Sequence, residues 1–230
     1  MQYTTPKGTL HNVDARTLLA LTPDASIDCV VTDPPYRTIS GGNAPSPLHG
    51  YAASVLSRND GRVFDHNAIE PGDYMPALFR VLKPGTHAYV MTNVLNLTAT
   101  IDAARAAGFH FSNLLIWEKN NANANRWYMK NTELTVFLQK KPAVPINDCG
   151  SKQIFKCDNP RNKSHPTEKP VALMSHYIVN STAPGGLVLD PFAGSGATLL
   201  AASQAGRRFI GCEIDPVWYL AACGRLYNDK

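Results

Sequence analysis

A run of mostly β-branched and apolar residues, Ile27-Asp28-Cys29-Val30-Val31-Thr32, is cut off by the pair Pro34-Pro35. Such a run reads as a buried strand. Neither proline can donate to a ladder, and Pro34 also restricts Asp33, so the strand must stop at Thr32. The segment Asp33-Pro34-Pro35-Tyr36 therefore presents an acid, a fixed carbonyl and an aromatic ring rigidly at a strand end. The plain alternative is a proline-rich turn after an edge strand.

The rest of the chain alternates in the same way. Gly8–Asp14 reads as a short strand ending in an acid, and Arg16–Leu21 as a helix before Pro23. Helices are predicted over Tyr74–Leu82 (ended by Lys83-Pro84-Gly85), Leu97–Ala107, Pro170–Asn180, Ala197–Gln204 and Val217–Tyr227. Strands are predicted over Ala88–Thr92, Phe109–Glu118, Glu133–Gln139, Leu187–Leu189 and Arg208–Glu213, with an Asn-rich loop over Asn120–Asn131. Strands interleaved with helices argue an α/β class with a mostly parallel sheet. At 230 residues one domain over 1–230 is expected, with irregular insertions at 37–66 and 141–163.

Composition limits the function classes. The net charge of +4 is compatible with phosphate contacts and does not require them. Five scattered cysteines fit reduced thiols in a cytosol. Cys149, Cys157 and His165 could contribute to a partial metal site, but the spacing matches no usual zinc pattern, so no metal is expected. Met1–Leu10 lacks the apolar centre of a signal peptide, and no run is long enough to span a bilayer, so no membrane partner is expected.

The Asp33 cluster suits chemistry at an exocyclic amine, a weak nucleophile because its lone pair is delocalised into the ring. An Asp33 carboxylate oxygen and the Pro34 carbonyl could hold its two hydrogens and stabilise the positive charge that develops as a methyl group arrives. Tyr36 would stack on a base swung out of a helix. A second centre is Leu187-Val188-Leu189-Asp190, followed by Gly194-Ser195-Gly196 and a helix. Glycines allow close backbone approach, and a helix start offers N–H groups to a phosphate or a carboxylate. The Rossmann glycine spacing and the P-loop lysine are both missing, so neither a dinucleotide nor a triphosphate is favoured. Glu213 stands where a ribose-binding acid is expected, about 20 residues past the glycines.

Three segments in order, Asp33-Pro34-Pro35-Tyr36, His165-Pro166-Thr167-Glu168-Lys169-Pro170 and Asp190-Pro191-Phe192-Ala193-Gly194-Ser195-Gly196, resemble the DNA amino-methyltransferases. With the catalytic motif first and the cofactor loop late, the order is similar to the beta-type permuted subgroup. The resemblance implies a Rossmann-like, mostly parallel seven-stranded sheet with circularly permuted motifs, and S-adenosylmethionine as cofactor with S-adenosylhomocysteine as product. It implies catalytic roles for Asp33, Pro34, Pro35 and Tyr36. It places Asp14, Ala15, Asp33, His165, Thr167, Lys169, Asp190, Phe192, Ala193, Gly194, Ser195, Gly196, Thr198 and Glu213 around the cofactor. Within that set, Gly194 and Ser195 would line the methionine end, Lys169 and Thr198 its carboxylate, Glu213 the ribose, and Asp14 with Ala15 the adenine. Asp14 also reads as a helix cap, and Lys169 as a solvated charge before a proline.

The implied reaction is adenine-N6 methylation of double-stranded DNA after base flipping. Alternatives are cytosine N4, where the family more often has Ser at the first motif position, an RNA substrate, or a non-catalytic subunit that binds cofactor and nucleic acid. Recognition has little room. The interval 141–163 carries Lys152, Lys156, Arg161 and Lys163, the insertion after Tyr36 carries Arg37, His49, Arg58 and Arg62, and the Asn-rich loop carries Arg126 and Trp127. Beta-type relatives often pair, so a homodimer is expected.

Overall fold

The computed structural model describes residues 1–35, 69–123, 128–160 and 168–229. The first elements are β1 (Gln2–Thr5), β2 (Gly8–His11), α1 (Ala15–Leu21) and β3 (Ile27–Thr32). Next come α2 (Pro71–Val81), β4 (Leu82–Thr92), α3 (Leu97–Ala106), β5 (His110–Asn123), β6 (Lys130–Gln139) and β7 (Ile154–Lys156). The chain closes with α4 (Val171–Ser181), β8 (Leu187–Asp190), α5 (Ala197–Gln204), β9 (Arg208–Cys212) and α6 (Pro216–Tyr227).

The strands join in one sheet ordered β1-β2-β9-β8-β3-β4-β6-β5-β7. Pairings β2–β9, β8–β9, β3–β8, β3–β4 and β5–β7 are parallel, so only β1 and β6 run against the others. Seven strands from β2 to β5 make up the expected sheet, and β1 and β7 add one strand to each edge. Both faces are covered, which is why the central strands are apolar almost without interruption. Cys29, Val31, Tyr89 and Met91 face α4, α5 and α6, whereas Val30, Ala88 and Val90 face α1, α2 and α3. Adjacent residues on each strand thus belong to opposite cores.

Local chemistry accounts for most boundaries. Asp14 caps α1, its carboxylate accepting from the Arg16 amide at 2.8 Å, and Asp215 does the same for Val217 at 2.8 Å ahead of Pro216. Helix α2 begins at Pro71, three residues earlier than Tyr74, because Glu70 and Asp73 form a capping box around a first-turn proline. Lys83-Pro84-Gly85 does not merely end that helix. Leu82 already pairs with Ile27, Lys83–Thr86 loop out, and His87 rejoins opposite Cys29. Gly85, at φ +79°, donates to Lys140, which returns a bond to Thr86, and these two bonds hold the excursion.

Three other stretches depart from their local pattern. Polar Gln2–Thr5 becomes a strand by folding back on β2, Tyr3 opposite Leu10. Strand β5 continues to Asn123, opposite Lys130, so both described ends of the predicted Asn-rich loop are strand. The interval from 141 is strapped onto the body. Asn147 bonds to the carbonyls of Val179 and Thr182 and to Asn180, and Ile154–Lys156 then pairs with Ile116–Glu118. Among the described residues no helix is long and apolar enough to cross a membrane.

Candidate active site

Parallel strands bring their carboxyl ends to one sheet edge, and ligands of open α/β sheets collect there where the strand order reverses. Strands β3 and β8 are neighbours at that point, Val30 opposite Leu189. The Thr32 hydroxyl donates to the Asp190 carboxylate at 2.7 Å, so the Asp33 and Asp190 motifs meet in one crevice although 158 residues separate Thr32 from Asp190. Because β5 runs with β3 while β6 runs against it, the end of β5 and the start of β6 reach the same edge.

That second convergence builds a chain of charges. The Lys169 ammonium bonds the Asp33 carboxylate and lies 3.3 Å from Glu133, whose other oxygen accepts from Lys119. The Lys119 ammonium in turn sits 5.0 Å from the centre of the Trp117 ring. Lys169 is almost fully enclosed, with 8 % of its side chain accessible. Burial pushes the Asp33 carboxyl up, helped by the Glu133 charge, and outweighs the Lys169 and Lys119 ammoniums. For Glu133 burial also acts upward, but the two lysines together hold it below the ordinary range. Asp33 Oδ1 is buried and accepts from no group among the described residues. Beside it, Pro34 and Pro35 wall a pocket shared with Tyr74, Met91, Thr92, Asn96 and Thr100.

The crevice continues over β8 and β9. Asp190 is buried, accepts from Thr32, Thr198 and the Phe192 amide, and is pushed up to about 6 chiefly by burial. Gly194 and Gly196 hold positive φ of 52° and 81°, which suits glycine, and a Cβ on Gly196 would meet that of Ala222 at 3.1 Å. Glu213, past the end of β9, accepts from the amides of Gly194 at 2.8 Å and Asp215 at 2.9 Å, and burial pushes it up. Ser195 touches Glu168 at 3.4 Å, and Glu168 pairs with Arg225 of α6 at 3.0 Å. The arrangement places a helix start, a buried acid and a tight glycine turn one strand away from the Asp33 carboxylate.

A family model described as DNA methylase matches residues 27–222. This chain belongs to the DNA methylase family of the N6/N4 class. It is 26% identical over 239 residues to Type II methyltransferase M2.DpnII of Streptococcus pneumoniae, covering 94% of this chain and 88% of that one. Among solved structures it is similar to the M1.HpyAVI–SAM complex, with a TM-score of 0.71, 23% identity, and 94% and 98% of the two chains covered. It is also similar to the cytosine-N4-specific PvuII DNA methyltransferase, with a TM-score of 0.75, 20% identity, and 97% and 87% covered. These likenesses carry the Rossmann-like methyltransferase fold.

Of the residues singled out in the sequence of this methylase, Asp33, Pro34 and Pro35 lie at the end of β3, and Asp190, Phe192, Ala193, Gly194, Ser195, Gly196 and Thr198 at the end of β8 and the start of α5. Asp14 and the buried Ala15 follow β2 beside β9, where Asn12 bonds the Glu213 carbonyl at 2.9 Å. The cap reading of Asp14 is realised, with Arg16 also paired to its carboxylate at 2.8 Å. Lys169 is buried rather than solvated, and its ammonium lies against Asp33 and Glu133; Thr198 bonds Asp190. Tyr36, His165 and Thr167 lie outside the described residues, as do Arg37, His49, Arg58, Arg62, Arg126, Trp127, Arg161 and Lys163. Of the basic residues in the later interval, Lys156 pairs with Glu118 at 3.0 Å and stays 74% exposed.

Sequence reasoning missed Glu133, Lys119, Glu168 and Arg225. Glu168 was within reach, since it sits inside a segment whose neighbours drew assignments. Lys119 and Glu133 carry no motif; their one local mark is a charge at the inner end of an apolar strand run.

The Asp190 environment makes a stability prediction. A carboxyl raised from about 4 unfolded to about 6 folded costs stability once ionised; the cost is full above pH 6 and gone near pH 4. Asp190→Asn keeps the acceptor for Thr32 but not a second accepting oxygen for Thr198, and its stability relative to the parent is expected to rise by about 2–3 kcal/mol from pH 4 to pH 8. Thermal denaturation of both proteins across that range checks it. A difference that does not change with pH would contradict the assignment.

Proposed function

We propose that this methylase transfers a methyl group from S-adenosylmethionine to the exocyclic N6 of adenine in double-stranded DNA, after the base is swung out of the helix. The observation that carries the reading is Asp33 Oδ1: a buried carboxylate oxygen with no partner among the described residues, one strand from the Gly194–Gly196 turn. A buried acceptor without a donor is costly, and an amine hydrogen of the target base would satisfy it. With the Pro34 carbonyl taking the second hydrogen, Asp33 stabilises the positive charge that builds on the nitrogen. That nitrogen then loses a proton to solvent.

The residues around the glycine turn fit the cofactor. Gly194, Ser195 and Gly196 leave room for close backbone approach, Glu213 offers carboxylate oxygens at the end of β9, and Asp14 with Ala15 closes the side next to β2. His165, Thr167, Lys169, Asp190, Phe192, Ala193 and Thr198 complete the expected set. When bound, S-adenosylmethionine supplies an electrophilic methyl on a sulfonium. Tyr36 is assigned to stacking on the flipped base. DNA phosphates would be met by Arg37, Arg58, Arg126, Lys152, Lys156, Arg161 and Lys163, in a cytoplasmic homodimer whose pairing light scattering would test.

Cytosine N4 is the second reading, favoured by the likeness to the PvuII enzyme. Asp at position 33, where cytosine enzymes of the family more often carry Ser, favours adenine. Incubation with DNA and methyl-labelled cofactor, followed by digestion to nucleosides, separates the two. Label in N6-methyladenine is expected. Label in N4-methylcytosine would move the target, and label in neither would leave a non-catalytic binding subunit.

A further inference from the structure

Four charged side chains from four separate segments meet in sequence at the crevice: Asp33 after β3, Lys169 before α4, Glu133 on β6 and Lys119 on β5. Buried ion pairs add little to stability relative to well-packed apolar groups, because desolvation offsets the attraction. A chain of them ending on the acid that the function needs calls for another reason. Asp33 has one oxygen committed to Lys169 and the other buried with no donor among the described residues. Any group that moves the Lys169 ammonium therefore decides whether Oδ1 stays available.

We infer that Glu133 is a positioning residue for methyl transfer: by sharing the Lys169 ammonium it keeps that cation on Asp33 Oδ2 and leaves Oδ1 open to the amine of the target base. This rests on the proposed function. Lys169 lies 3.3 Å from Glu133 Oε2 while bonded to Asp33 Oδ2, and Lys119 fixes Glu133 through its other oxygen. Without the Glu133 charge the ammonium can spread over both Asp33 oxygens. Asp33 then becomes easier to ionise but a poorer acceptor, since a fully engaged carboxylate has less to offer a developing cation.

The other titratable groups facing this chain of charges are Asp190 and Tyr74 toward Asp33 and Tyr177 toward Glu133. Tyr177 feels the Glu133 charge but is pushed up to about 12 chiefly by burial, far from the carboxyl range, and Asp190 and Tyr74 couple to Asp33 itself. Glu133 raises the Asp33 carboxyl, whereas Lys169 and Lys119 lower it. The signs of the shifts should therefore differ between variants, and the loss of kcat with its rescue by Glu133→Asp separates a positioning role from a merely structural one.

The test is a carbon-13 carboxyl titration of Asp33 in the cofactor-free protein, assigned with Asp33→Asn, beside the pH profile of methyl transfer. Glu133→Gln is expected to move the Asp33 midpoint and the acid limb to lower pH, yet reduce kcat about tenfold, less than the ~100-fold expected on losing Asp33 itself. KM for S-adenosylmethionine should stay near the parent value, and Glu133→Asp should restore part of kcat. Lys169→Met is expected to move midpoint and limb to higher pH. Should that variant fail to fold, Lys119→Met supplies the same upward sign. Shifts in one direction for all variants, no shift, or Glu133→Gln with undiminished kcat would overturn the inference. A parent protein that titrates as described but transfers no label would instead refute the proposed function.

Discussion

Replacing Asp33 by alanine is expected to cut methyl transfer by at least ~100-fold, the scale of losing one preorganised group that stabilises transition-state charge. The fold has little need of this carboxylate. Asp33 lies past the last paired residue of β3, and the strand register is held by Ile27–Thr32 against β4 and β8. Its one side-chain partner among the described residues, Lys169, keeps Glu133 after the change, so the buried ammonium is not stranded. Losing one bond of a buried charged pair should cost about 1–3 kcal/mol, visible as a lower melting temperature in a protein that still folds. Binding of S-adenosylmethionine, measured by calorimetry, should persist, because the Gly194–Gly196 turn and Glu213 are untouched. Asp33→Asn retains the shape and should lose most of the activity too, since the missing charge is what the developing cation requires. Near-normal turnover in the alanine variant would remove Asp33 from the mechanism.

An effect of similar size is expected at Gly194, where valine should abolish cofactor binding. Gly194 has φ +52°, in the left-handed region that costs an L-residue about 1–2 kcal/mol, and more for a β-branched one. Its amide also donates to Glu213 at 2.8 Å, so a shift in its backbone disturbs the acid assigned to the ribose. Gly194→Ala carries the backbone strain without the branch and should bind measurably, only more weakly. Glu213→Ala should weaken the same binding and leave DNA affinity alone. Calorimetry with S-adenosylmethionine and a salt titration of DNA binding read the two sides separately. Cofactor binding that survives both Gly194→Val and Glu213→Ala would place the site elsewhere.

Much of this protein is legible in its residues because the deciding forces there are local. Pro34-Pro35 must end the strand before it, Gly194-Ser195-Gly196 must turn before a helix, and Asp14 must cap α1. Period and punctuation thus located α1, β3, α5 and α6 with little error, and the motifs were visible at their ends. Where local signs conflict, the pattern misleads. Pro71-Gly72 looks like a turn, but the Glu70 and Asp73 side chains make it the first turn of α2.

Other features have no local sign. Gln2–Thr5 and Ile154–Lys156 are strands only because a sheet edge is there to pair with them. Hydrogen bonding to an edge depends on which backbone lies alongside, and neither segment carries the apolar alternation of a half-buried strand. The site is the extreme case. Asp33 and Lys169 are 136 residues apart, and Lys119 with Glu133 reaches them because β6 reverses while β5 does not. Residue order thus supplied the acid, the fixed carbonyl and the glycine turn, whose conformations depend on their immediate neighbours. Strand order supplied the crevice and its chain of charges, because a charge can be buried only where another segment brings its partner, and that is a property of the assembled sheet.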